Sequence, residues 1–161
     1  MKRLPLNQGK IPEVVLLDDD DFERFSKFNW TRRRANRQCY AFRKNSEGKI
    51  IHLHREILGL KTGDGKIVDH ANGNGLDNRK CNLRICNHSQ NNQNKLPDKG
   101  LPRKGVRKSK CNTWEARITI GGVTRSIGSF RTEFEAVLAY DEAAVNLFGE
   151  YARTNFMEHK K

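Results

Sequence analysis

The sequence predicts an α+β protein made of two small domains rather than one large core. Three observations point there. Apolar residues make up 35% of the 161 positions and charged residues 31%, too lean a balance for one thick core. The segment Leu96-Pro97-Asp98-Lys99-Gly100-Leu101-Pro102 carries two prolines and a glycine in seven residues, the best boundary signal in the chain. Beyond it the hydrophobic pattern changes to one clear strand, a tight turn and one long helix. The expected division is 1–95, a linker at 96–102, and 103–161.

In the first part, Val14 to Leu17 is a short apolar run and reads as a strand. Asp18 to Asp21 precede an apolar-periodic stretch reaching Phe28, which favours a helix start. N-capping accounts for these acids, and metal binding is the alternative. Asn29 to Ala35 and Gln38 to Lys44 read as strands around a turn at Asn36-Arg37. Lys49 to Leu53 alternates and reads as a third. Arg55 to Leu60 reads as a short helix, and Gly63-Asp64-Gly65 as a turn. Lys66 to His70 and Asn82 to Cys86 read as strands flanking the loop signal Asn72-Gly73-Asn74-Gly75. Asn87 to Lys95 lacks Gly and Pro and can form a short helix.

In the last part, Trp114, Ala116, Ile118 and Ile120 alternate with polar residues, the mark of a half-buried strand. Gly121-Gly122 is a hairpin turn, and Val123 to Ile127 returns. Thr132 and Glu135 form a capping box that opens a helix. Phe134, Leu138, Val145 and Phe148 recur near helical spacing, with alanines at 136, 139, 143 and 144 that let a helix lie close on a sheet. Gly149 suits the stop. The last third therefore reads β-β-β-α, a small three-stranded antiparallel sheet packed on one helix.

The formal net charge is +12, which calls for a polyanionic partner. A membrane surface is disfavoured, because no run of about 18 apolar residues is present. No apolar signal region follows Met1, so the chain is expected to stay in the cytoplasm where it is made and not to be secreted. The charge is unevenly spread. Lys99 to Arg131 holds nine Lys or Arg and one acid, while Thr132 to Glu158 holds one Arg and six acids. A basic sheet with an acidic helix behind it suits double-stranded DNA on the open face. Four cysteines (39, 81, 86 and 111) form no C-x-x-C pair, which fits scattered thiols and disfavours a zinc staple.

The sharpest chemical signal is Asp69-His70, then Asn82-Leu83-Arg84, then Asn91. A hairpin followed by a helix can bring its first strand and its helix onto one metal. Phosphodiester cleavage needs an activated water, a cation at the scissile phosphate and a held backbone. A near-neutral imidazole is a natural base, and Asp and Asn oxygens suit a hard cation.

The stretch VDHANGNGLDNRKCNLRICNHSQNNQNK, Val68 to Lys95, resembles the HNH endonuclease family, in the branch found in phage and intron homing enzymes. That resemblance implies a ββα-metal core over about 66–95, with His70 as general base, Asn82 orienting the imidazole, and Asp69 and Asn91 holding one Mg²⁺ (or Mn²⁺). His88 competes with Asn91 as ligand. Arg79 and Arg84 are read as DNA-backbone contacts, with surface charge as the alternative. For His54 and Arg55, core packing and phosphate contact stay equally open.

The last third resembles the ethylene-response-factor (APETALA-two) type of DNA-binding domain. The matching residues are Lys104-Gly105-Val106-Arg107, Trp114-x-Ala116-x-Ile118, Gly128-Ser129-Phe130, Ala139-Tyr140-Asp141-x-Ala143-Ala144 and Thr154-Asn155-Phe156. The resemblance implies that the sheet enters the major groove. Lys104, Arg107, Arg117 and Thr119 then face DNA. Lys110 and Arg125 join the candidates, although alternation gives Arg125 the core-facing parity. Trp114 reads as core.

Taken together, the sequence predicts a homing-type DNA endonuclease, a monomer or weak homodimer with one metal per site. The alternative is a DNA-binding regulator whose nuclease centre is inactive.

Overall fold

The computed structural model describes residues 1–7, 13–35, 38–97 and 100–156. The expected turn at Asn36-Arg37 lies outside the described residues. The chain is mixed α/β, with several small antiparallel sheets and few helices. It divides into two compact units, Met1–Asn87 and His88–Lys161.

In the first unit, β1 (Lys2–Pro5) pairs antiparallel with β2 (Val14–Leu17). The sequence pattern missed β1 because only Leu4 of its four residues is buried. Leu4, Val15 and Leu17 enter the core from this pair. Helix α1 spans Asp19–Phe25 and stops before Phe28. Asp18 makes no side-chain cap. Its carboxylate accepts the Lys80 backbone N–H at 2.8 Å. Asp19 to Asp21 lie in the first turn, where negative charge opposes the helix dipole favourably. Asp21 is fully buried and paired with Arg24 at 2.9 Å and Lys80 at 3.3 Å.

Strands β3 (Thr31–Ala35), β4 (Gln38–Lys44) and β5 (Ile50–His52) form a sheet in that order. Trp30 is buried before β3, and its indole N–H donates to the Phe25 carbonyl at 2.9 Å. Phe25 and Phe28 meet its ring edge-on. The short helix α2 occupies Leu53–Ile57, two residues earlier than the sequence suggests. Leu53 and Ile57 are the reason, since both bury into the core when the helix starts there. Strands β6 (Ile67–His70) and β7 (Leu83–Cys86) form a separate hairpin, with Asp69 opposite Arg84 and His70 opposite Leu83. The long loop between them is tied to β2: Leu16 N–H donates to the Leu76 carbonyl, and Asn78 N–H to the Leu16 carbonyl, each at 2.9 Å.

The second unit begins with α3 (His88–Gln93). Strands β8 (Val106–Lys108), β9 (Trp114–Ile120) and β10 (Val123–Phe130) form one antiparallel sheet in the order β10-β9-β8. A register shift between Ser126 and Gly128 bends β10. Helix α4 (Glu133–Phe148) packs on one face of it. The capping box of Thr132 and Glu135 is present, and Gly149 ends the helix with φ 53°.

The buried stripe of α4 follows the small residues rather than the larger apolar ones. Ala136, Val137, Tyr140 and Ala144 face the sheet, whereas Phe134 (60% exposed), Leu138 (48%) and Val145 (52%) do not. Close approach decides this. Ala116 is fully buried opposite, and small side chains let the helix sit low enough to bury Val106 and Ile118. Asn155 clasps the unit: its side chain accepts the Lys104 N–H at 2.7 Å and donates to the Lys104 carbonyl and to Asp141.

Gly105 shows how tight this packing is. It has φ +70°, and an added Cβ would lie 2.1 Å from the Tyr140 ring and 2.5 Å from the Arg117 carbonyl. Gly105→Ala is expected to cost about 3 kcal/mol or more of unfolding free energy, from backbone strain and overpacking together. Urea denaturation of the two proteins measures it.

Candidate active site

His70 ends β6 and is buried, as is Asp69 before it. Asp69 lies across the hairpin from Arg84, whose Nε and Nη2 reach its Oδ2 at 2.8 and 2.7 Å. Arg84, read from the sequence as a backbone contact, is therefore drawn into the hairpin by this ion pair.

The loop after His70 is built from its own side chains. Asn72 Oδ1 accepts the Asn74 N–H, and Asn74 Oδ1 accepts the Leu76 N–H, which sets two successive turns. Gly75 is required, since an added Cβ would meet the Cys39 carbonyl at 2.4 Å and the Tyr40 ring at 2.8 Å. Asp77 is buried and accepts from Asn72 and from both Nε and Nη2 of Arg79 at 2.8 and 2.7 Å. Burial raises the Asp77 carboxyl's pKa, but the Arg79 guanidinium outweighs it and holds the group below its ordinary value. Arg79 is thus a partner of the loop carboxylate, a role that its reading as a DNA contact did not include.

Asn82 does not hold the imidazole, contrary to the sequence expectation. Its Oδ1 accepts the Asn72 N–H at 2.9 Å and its Nδ2 donates to the Asp77 carbonyl at 2.7 Å. The loop backbone needs both groups, because Asn82 sits beneath it in the turn Lys80–Asn82. Asn78 meets the ring instead, with Oδ1 3.4 Å from His70 Nε2. Asn78 is fully buried, and its Nδ2 donates to the Gly75 carbonyl. The sequence shows Asp77-Asn78 as loop formers, and nothing in spacing alone distinguishes Asn78 from Asn82.

Three aromatic rings surround this point. His54 meets His70 edge-on at 5.2 Å between centroids, Tyr40 lies 5.8 Å from His70, and Tyr40 and His54 are 5.7 Å apart. His52 stacks on His54 at 5.4 Å. Burial, then the nearby His70, His52 and Arg55 charges, push the His54 imidazole down to about 3, so it is neutral in the folded chain. Burial also lowers His70, while Asn78, Asp69 and Asp77 pull it back up. Arg55 is a structural tie, with its guanidinium donating to the Lys61 and Lys66 carbonyls and to Asp64.

Asn91 and its competitor His88 both lie on α3, in the second unit. Among the described residues no group of three or more His, Cys, Asp or Glu could hold a metal ion. The donor at hand in the first unit is the buried Asp69 carboxylate, an oxygen ligand of the kind a hard cation such as Mg²⁺ takes together with waters and substrate phosphate.

On the second unit, Arg107, Glu115, Arg117, Thr119 and Thr124 share the sheet face away from α4. Glu115 pairs with Arg107 at 3.0 Å and Arg117 at 2.8 Å, and the hydroxyls of Thr119 and Thr124 are 2.9 Å apart. Glu115, the one acid in this basic stretch, spaces the two guanidinium groups. Lys110 is exposed. The Lys104 ammonium donates to the Gln93 carbonyl. Arg125 is exposed but opposite Ile118, hence on the helix-facing side. A cleft of about 440 Å³ runs between Arg107, Arg117 and Thr119 on one wall and Asn92 and Gln93 of α3 on the other. No helix among the described residues is long and apolar enough to cross a membrane.

Residues 52–93 match the family of HNH endonucleases. The match begins at the histidine stack and contains every residue of the loop just described. The chain is 38% identical over 110 residues to an HNH endonuclease of Acanthamoeba polyphaga mimivirus, covering 65% of this chain and 57% of that one. It is also similar to plant DNA-binding proteins of the ethylene-response type. Identity is 40% over 65 residues with dehydration-responsive element-binding protein 2C of Arabidopsis thaliana, 38% of this chain and 19% of that one. It is 36% over 89 residues with an ethylene-responsive transcription factor of Medicago truncatula, 54% and 31%. The chain thus spans less than two thirds of each of these relatives. No solved structure matches it.

The buried, neutral His54 has a pH signature. Its pKa is about 3 when folded and 6.5 as a free side chain, so on acidification the unfolded chain takes up the proton first. The stability from neutral burial is complete above pH 6.5 and is lost as pH falls toward 3. His54→Phe should therefore lose less melting temperature than the parent chain between pH 7 and pH 4, measured by circular dichroism.

Proposed function

We propose that this chain is a metal-dependent DNA endonuclease of homing type, hydrolysing phosphodiester bonds at a preferred site. The reading assigns residues 1–95 to the nuclease, 96–102 to a linker and 103–161 to DNA binding. The observation that carries it is the buried Asp69–His70 pair at the end of a hairpin, inside the segment that matches HNH endonucleases. The plant likenesses support DNA as partner.

In this mechanism His70 takes a proton from the attacking water. Burial keeps the imidazole neutral and able to accept that proton. Asp69 and Asp77 then stabilise the imidazolium by charge. Asn78 accepts a hydrogen bond from Nε2, which directs Nδ1 to the water. Asp69 would hold one Mg²⁺ or Mn²⁺, with Asn91 as the second ligand expected from the sequence, and the ion would supply Lewis-acid stabilisation of the leaving oxygen. The guanidinium groups of Arg107 and Arg117 neutralise phosphates along the grip. One such centre cuts one strand at a time, so a double-strand break requires a homodimer or sequential nicks.

One observation favours a second reading, a DNA-binding regulator with an inactive centre: Arg84 already neutralises Asp69. Plasmid cleavage separates the two. Supercoiled plasmid should be nicked with Mg²⁺ or Mn²⁺ and stay intact with EDTA. His70→Ala should lower the rate at least a hundredfold, the scale on which general-base loss is felt. Nicking by His70→Ala at the parent rate would sink the base assignment. Absence of nicking by the parent chain alongside retained DNA binding would favour the regulator.

Binding itself is checked by salt titration of the full chain on a DNA duplex. Arg117→Ala is expected to weaken binding several-fold and to reduce the slope of log affinity against log salt by about 1.

A further inference from the structure

We propose that His54 and Tyr40 position the His70 imidazole as a ring clamp. The inference rests on the nuclease reading only for its activity arm. His70 is the last residue of β6, and backbone pairing with Leu83 fixes its Cα and Cβ but not its ring plane. Torsion about the Cβ–ring bond of histidine is broad and nearly two-fold. The polar contact to Asn78 is long at 3.4 Å and constrains one ring atom. Two neighbouring rings constrain the ring plane sterically.

His54 stands at 86° to His70 with centroids 5.2 Å apart, and Tyr40 at 53° and 5.8 Å. The clamp residues also meet each other, at 66° and 5.7 Å. The three rings close a triangle in which each meets the other two. Each comes from a different element: Tyr40 from β4, His54 from α2 and His70 from β6. The triangle is itself braced. Gly75 lies against the Tyr40 ring with no room for a Cβ. The Tyr40 hydroxyl donates to Gln38 Oε1, and Gln38 Nε2 donates to the Gly73 carbonyl at 2.9 Å. His52 stacks on the far side of His54 at 20°. His54 Nδ1 is buried without a hydrogen-bond partner among the described residues, so this ring is held by packing rather than by polar bonds. Its work is steric. A ring of similar size must replace it, and a small side chain must not.

The experiment uses the full chain and two readouts. The first is nuclear magnetic resonance of the metal-free protein in EDTA, following proton–proton contacts from the His70 ring to the Tyr40 ring. The parent and His54→Phe should keep those contacts. His54→Ala should lose them and show an averaged His70 ring, with the Trp30 indole signal unmoved as the check that the core is folded. Tyr40→Phe, which loses only the Gln38 brace, should keep the ring contacts in weakened form, and Tyr40→Leu should leave an averaged His70 ring as His54→Ala does. Tyr40→Leu carries the test if His54→Ala fails to fold. The second readout is nicking at varied DNA concentration. His54→Ala should lose about ten- to a hundredfold in kcat with KM nearly unchanged, as a misplaced catalytic group does, and His54→Phe should recover most of it.

Retained His70–Tyr40 contacts in folded His54→Ala would overturn the clamp. So would a His54→Phe protein as defective as His54→Ala with a raised KM, which would assign His54 to a phosphate contact. If the parent chain does not nick, the nuclease reading fails, and the resonance arm still decides the clamp.

Discussion

The buried carboxylate of Asp77 organises the functional half of the first unit. A carboxylate in an apolar interior is costly unless it is paired and hydrogen-bonded, and breaking such a pair typically costs about 3–5 kcal/mol. Arg79 and Asn72 satisfy Asp77 from opposite ends of the loop. Asn82 then bonds the Asp77 carbonyl and the Asn72 N–H. The eleven residues from Asn72 to Asn82, a loop that ends in a single 3-10 turn, are thereby closed into one shape. That shape sets Asn78 against His70 and Gly75 against Tyr40. The loop is also stitched to β2 through Leu16, so a strand far away in sequence helps to fix the surroundings of His70.

The second unit solves a different problem with different means. Its sheet has one face to bury and one to leave open. Small residues on α4 let the helix settle close to Ala116 and Val106, while the open face carries arginines spaced by Glu115. The apolar residues left outside, Phe134, Leu138 and Val145, follow from that choice. A helix cannot bury both a small-residue stripe and a large-residue stripe against one sheet, and the small one permits denser packing. Past Gly149, Asn155 ties the chain back to Lys104, just before β8, and to Asp141 of α4.

Much of this was legible beforehand. Alternation at Trp114, Ala116 and Ile118 located β9, and the Thr132–Glu135 pair located the start of α4, because both signals are local. Asp69-His70 stood out as an ordered motif, and the structure buries both side chains at a strand end. What failed was the choice among equivalent residues. Asn78 and Asn82 look alike in a polar loop, and only the turn geometry shows which one reaches the imidazole. His54 and Arg55 are adjacent, yet one joins a ring cluster and the other ties a loop. Arg79 and Arg84 read as DNA-backbone contacts, with surface charge as the alternative, yet both pair with buried carboxylates.

The sequence alone determined most of the elements, the basic and acidic segregation and the Asp69-His70 motif, since these depend on residue type and near-neighbour spacing. Tertiary structure decided which asparagine meets His70, which arginines are engaged within the protein, and which face of α4 is buried. Those outcomes rest on side chains far apart in the chain competing for the same space and the same hydrogen bonds. That competition has no signature in local sequence, because its result is fixed only when the distant strands and helices are brought together.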